Sequence, residues 1–79
     1  MRFPSREQVE RVRLTYPKGT RVELMAMSDP YTTLKPGALG RVDFVDDTGT
    51  VFCVWDEGST LGVVYGVDVI RHVDEGDAQ

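Results

Sequence analysis

Cysteine and histidine are nearly missing from this sequence: Cys53 and His72 are the only ones in 79 residues. A lone cysteine closes no internal disulfide, and nothing around it has zinc-ligand spacing, so the two staples that small domains often use are both excluded. Catalytic signatures are missing too. There is no G-x-S-x-G elbow, no phosphate-binding glycine loop and no H-E-x-x-H. An enzyme is therefore last among the function classes, and no cofactor and no metal site is expected. Nor is there an apolar run of signal-peptide length, or one approaching the roughly 18 residues of a membrane span. The expectation is a soluble, cytoplasmic chain with no membrane partner.

At this length one domain with a small core is expected, and a small domain buries less of its unfolded surface than a large one, so dimerisation would help. The net charge of −4 is unevenly spread. Residues 1–21 hold six Arg/Lys against two Glu, whereas residues 22–79 hold three Arg/Lys against eleven Asp/Glu. A basic arm for nucleic acid is one reading. The plainer one is that the basic segment lies on its own barrel or on a neighbour's, since an acidic body repels phosphate.

Ser5 followed by Gln8 has capping-box spacing, and Val9, Val12 and Tyr16 recur at helical intervals, which predicts a short amphipathic helix over 6–15. Pro17 and Gly19 end it. The following residues predict five strands. In 20–27, Val22, Leu24 and Ala26 alternate with Arg21, Glu23 and Met25. Residues 28–39 form a long loop in which Pro36-Gly37 is a type II turn pairing. Strands at 41–45 and 50–55 follow, separated by Asp46-Asp47-Thr48-Gly49. Val42 and Val45 share one face only if a bulge lies near Asp43-Phe44. Trp55, the largest apolar group, marks the inner face with Val51 and Cys53, which leaves Phe52 and Val54 pointing outward. Strands at 60–64 and 69–73 complete the set, joined by a compact 3₁₀ turn at 65–68. The predicted fold is mainly β, a small five-stranded β-barrel preceded by one short N-terminal α-helix. Its parts are a helix and linker at 1–19, the barrel at 20–73 and a disordered acidic tail at 74–79. The predicted core is Val22, Leu24, Val42, Val45, Val51, Cys53, Trp55, Leu61 and Val63.

The segments Y-P-x-G-T-R-V-E-L at 16–24, D-P-Y at 29–31, L-K-P-G at 34–37, G-R-V at 40–42, V-D-D-T-G-T at 45–50, V-W-D-E-G-S-T-L-G at 54–62 and G-V-D at 66–68 resemble an uncharacterised family of small bacterial and phage or plasmid-borne domains, domain-of-unknown-function family 4314. The resemblance runs from about Val9 to about His72. It implies no assigned activity, cofactor or site residue. More loosely, G-x-V-x-x-V, a turn and V-x-W-D-x-G are similar to SH3-like barrels such as KOW, Tudor and Mib/Herc2 domains, a resemblance that implies a small five-stranded SH3-like β-barrel and binding of nucleic acid, modified lysine or peptides. Positions 52 and 54, usually polar in the resembling family, are Phe and Val here.

Cys53 and His72 lie far apart in sequence, and the strand phase of Cys53 places it beside Trp55, so core packing is preferred to a nucleophile pair. Asp46-Asp47 and Asp56-Glu57 read as turn residues rather than paired carboxylates. The aromatics carry the functional signal: Tyr31 in the long loop and Tyr65 in the closing turn occupy positions from which small barrels build a groove or cage, with Asp29 or Asp56 at the rim. Phe52 and Val54 add an outward apolar face that should be covered by the helix, a homodimer or an external partner. The leading functional reading is a non-enzymatic protein-interaction module with an unidentified protein partner. Nucleic-acid binding through the basic helix comes second, and a small acidic inhibitor of a nucleic-acid-binding defence protein is a further alternative.

Overall fold

A computed structural model describes residues 4–28 and 32–74. It comprises α1 (Arg6–Thr15), β1 (Arg21–Ala26), β2 (Leu39–Val45), β3 (Val51–Trp55), β4 (Thr60–Val63) and β5 (Val69–His72). The strands form one antiparallel sheet in the order β4-β3-β2-β1-β5, so the last strand returns to lie beside the first. This is the expected class: mainly β, barrel-like, with one short helix in front. The acidic tail expected at the C-terminus falls on residues 75–79, outside the described residues, apart from Asp74.

Period-two alternation sets the inner face. In β3, Val51, Cys53 and Trp55 are buried while Val54 is exposed. The ladder between β2 and β3 shifts between Val42 and Phe44, which places the expected bulge at Asp43. The extra residue returns Val45 toward the core, where it is half-buried. A second bulge was not foreseen. Register slips between Leu24 and Ala26 where β1 meets β5, and Ala26, expected inside, is exposed because the extra residue puts it out of phase.

Trp55 anchors the core at 1% exposure, and its indole N–H donates to the Leu61 carbonyl at 3.2 Å. The ring lies against Gly40: a Cβ there would stand 2.8 Å from Trp55 Cε3 and 2.9 Å from the Val54 carbonyl oxygen. The core holds Val22, Leu24, Leu34, Val42, Val51, Cys53, Trp55 and Val63, with Val45 and Leu61 half-buried against them. Leu34 enters from the long loop. That loop is tied down because Leu24 donates its N–H to the Ala38 carbonyl and accepts from Gly37 N–H, both at 2.8 Å. The expected type II turn sits here: Ala38 N–H donates to the Lys35 carbonyl at 3.0 Å, and Gly37 takes φ +99°.

The turn after β4 is not 3₁₀. The Val64 carbonyl accepts from both Val67 and Asp68 N–H, at 3.1 and 2.9 Å, which mixes i+3 and i+4 bonds in one turn. Asp68, only 8% exposed, holds this wider wrap in place. One carboxylate oxygen accepts from Ser28 N–H and Ser28 Oγ at 2.8 and 3.0 Å, and the other from Val64 N–H at 3.0 Å. A single buried side chain thereby joins the end of β1 to the start of β5.

Helix α1 carries both halves of the capping box: Ser5 Oγ accepts from Gln8 N–H and Gln8 Oε1 from Ser5 N–H. It packs in cis. Val9 is buried, and a Cβ on Gly49 would stand 3.1 Å from Pro4, 3.5 Å from Tyr65 and 3.7 Å from Val9. The missing side chain at Gly49 is what lets the helix N-terminus approach the turn between β2 and β3. Further along, Arg13 donates to the Val45 carbonyl at 3.3 Å and to Asp47 at 2.8 Å. Tyr16 stacks on His72 of β5 with ring centroids 4.8 Å apart. The helix thus closes one end of the core through Val9, Val12 and Tyr16 and does not cover the Phe52/Val54 face, one of the coverings the sequence suggested.

Candidate functional site

The sequence-derived candidates divide between two surfaces. Asp29 and Tyr31 lie outside the described residues. Phe52, Val54 and Asp56 belong to the outward face of β3 and the turn beyond it. Tyr65 stands apart, beside the helix.

On the β3 face, Phe52 is half-buried because it is sandwiched. One side of its ring stacks on Phe44, with centroids 4.7 Å apart and planes 16° from parallel. The other side lies over Gly62, where a Cβ would stand 3.0 Å from Phe52 Cε1 and 2.6 Å from Thr50 Cγ2. Aromatic rings cover strand glycines in this way because the missing side chain leaves a slot in the pleat. Phe44 and Val54 remain 52% and 48% exposed. Asp56 is no free rim carboxylate: Arg21 grips both of its oxygens, and that hydrogen bonding holds its carboxyl below the ordinary range.

The second surface is a groove of about 200 Å3 between α1 and the turn joining β4 to β5. Its walls include Val12, Tyr16, Val63, Tyr65, Val69 and Ile70. A shallower extension of about 160 Å3 runs along the helix past Gln8 and Arg11. Val64, Tyr65 and Val69 are all exposed around the rim. Tyr65 therefore has two roles, packing its Cβ near Gly49 and presenting its ring to the groove. Sequence reading singled out Tyr65 but missed the valines around it, since isolated valines in a short turn carry no periodicity.

No group of three or more His, Cys, Asp or Glu able to hold a metal ion occurs among the described residues. Cys53 is buried, and burial pushes its thiol up to about 11. In native protein at mildly alkaline pH, Cys53 is expected to leave an aromatic disulfide reagent unreacted, and to titrate fully once the chain is unfolded. Rapid reaction of the folded protein would remove the cysteine from the core. Around Asp46, burial works against ionisation but is outweighed by hydrogen bonds from Thr48 Oγ1 and the N–H groups of Thr50 and Thr48, leaving that carboxyl below its usual value. These bonds account for Asp46 as a turn residue. Among the described residues no helix is long and apolar enough to cross a membrane.

Among curated proteins, none matches the chain. The family model described as "Domain of unknown function (DUF4314)" matches residues 5–73, from the N-cap of α1 to the residue after β5. Covering every described element of the fold, that match places the chain in the DUF4314 family.

Proposed function

We propose that this chain is a non-enzymatic protein-interaction module with an SH3-like barrel, serving as an accessory factor in a bacterium, phage or mobile element. The strand order, with β5 returning beside β1, supports the SH3-like reading. The observation that carries the function is the groove beside α1, where exposed Val64, Tyr65 and Val69 border an apolar cleft. An apolar side chain of a protein partner fits such a cleft, and Arg11 at its extension offers a cation to a carboxylate beside that anchor.

Nucleic acid fits the helix less well. Arg13 is engaged by Glu10 and Asp47, and Lys18 by Asp43. On the open side of the helix Arg6 and Arg11 are interleaved with Glu7 and Glu10, so a phosphate backbone would meet carboxylates as well as guanidinium groups.

The test is a displayed random-peptide library panned on the protein, with a Tyr65→Ser, Val69→Asp double variant as counter-selection. Peptides sharing one apolar anchor should emerge, and the double variant should bind them about tenfold or more weakly at an unchanged melting temperature. Failure to enrich any peptide that distinguishes the two proteins, or tight DNA retention that falls steeply with salt, would overturn the reading.

A further inference from the structure

The outward row formed by Phe44, Phe52 and Gly62 crosses β2, β3 and β4 and then stops at an open edge. Edge strands are templates for pairing, and proteins normally guard them with charge, proline or bulges. The two edges here differ. β5 carries Arg71 and His72, both exposed, whereas β4 is Thr-Leu-Gly-Val with no charge and no proline. Its glycine is the residue on which the Phe52 ring rests.

We infer that β4 pairs with β4 of a second copy of this chain, antiparallel about a twofold axis near Gly62, so that the two Phe52 rings meet over adjacent glycines. The spacing favours this occupant. Paired strands lie about 4.8 Å apart, so rings resting over the two glycines would be separated by nearly the 4.7 Å already found between Phe44 and Phe52. The stack would then continue through both copies. Any side chain in place of Gly62 would push the rings apart and collide with Thr50.

Charge points the same way. A twofold contact sets residue i of one copy against residue j of the other and j against i, so an edge that carries one sign of charge gathers like charges from both copies. A β5 contact would gather the Arg71 and His72 side chains of both copies, with Arg71 held by Glu23, while a β4 contact gathers no charged side chain. Each chain carries a net charge of −4, so the two bodies repel at long range and salt should tighten the pair, opposite to the effect on nucleic-acid binding. A four-residue strand pair with two rings buries less than the roughly 1,200 Å2 of a standard interface, which makes the dimer concentration-dependent.

This inference concerns a face separate from the groove and does not rest on it. Sedimentation velocity from micromolar to millimolar protein, at low and high salt, reads it directly. The expected result is a reversible monomer–dimer equilibrium that strengthens with salt. Thr60→Lys, an exposed edge substitution, should weaken it about tenfold or more while leaving the melting temperature unchanged. Phe52→Ala should weaken it as well, and Thr60→Lys remains decisive if loss of the ring also lowers stability. A wild-type chain that stays monomeric throughout overturns the inference, as does a dimer that Thr60→Lys leaves intact. A dimer dissolved by Tyr65→Ser, Val69→Asp but not by Thr60→Lys would transfer self-association to the groove, and the β4 pairing would be wrong.

Discussion

Trp55→Ala is expected to lower the unfolding free energy by about 3–5 kcal/mol, the cost of deleting a buried aromatic ring whose site collapses only partly. For a domain of this size that is a large share of the total. Three consequences combine. The ring is 1% exposed and contacts Gly40, so its removal opens a cavity between β2 and β3. Its N–H also leaves the Leu61 carbonyl, a bond that links the end of β3 to β4. And the glycine at position 40, shaped to the ring, has no side chain with which to fill the space. A urea-unfolding titration measures the loss, and a variant with the parental midpoint would place the ring outside the core.

Asp68→Ala is expected to cost about 1–3 kcal/mol, since it removes at once three part-buried hydrogen bonds that the buried Asp68 side chain accepts. Ser28 N–H, Ser28 Oγ and Val64 N–H all donate to this carboxylate, and no other side chain in the turn is placed to replace it. The damage should be local. Hydrogen exchange should accelerate first at Val64 and Ser28, while Val51 and Cys53 in the central strand stay protected. Asp68→Asn should fall in between, because the amide retains one acceptor oxygen but presents N–H groups to donors on its other side. An alanine variant as stable as the parent would mean that the carboxylate bonds contribute nothing.

The same two residues show where sequence reading succeeds and where it stops. Trp55 is legible because strand alternation is local: Val51, Cys53 and Trp55 share a face whatever else the chain does. The helix is legible for a similar reason, since Ser5, Gln8 and the Val9–Val12–Tyr16 stripe act within three turns. The bulge at Asp43 follows from the spacing of two valines in a single strand. Asp68 reads only as a turn residue, because its importance comes from Ser28, forty positions away.

Local stereochemistry and periodicity therefore determined the elements by themselves: one capped helix, five strands, the type II turn at Pro36-Gly37 and most of the core. Tertiary structure alone decided where those elements meet. It seated the helix on the Gly49 turn and on His72 rather than over Phe52, because the slot at Gly49 accepts Pro4 and Val9 while Phe52 is already held between Phe44 and Gly62. It drew Leu34 into the core from a loop without periodicity and moved Ala26 out through a bulge against β5. It also gathered Val12, Tyr16, Tyr65 and Val69 around one groove. Each of these outcomes depends on contacts between residues distant in sequence, whose energies are set by shape complementarity in space and leave no period along the chain.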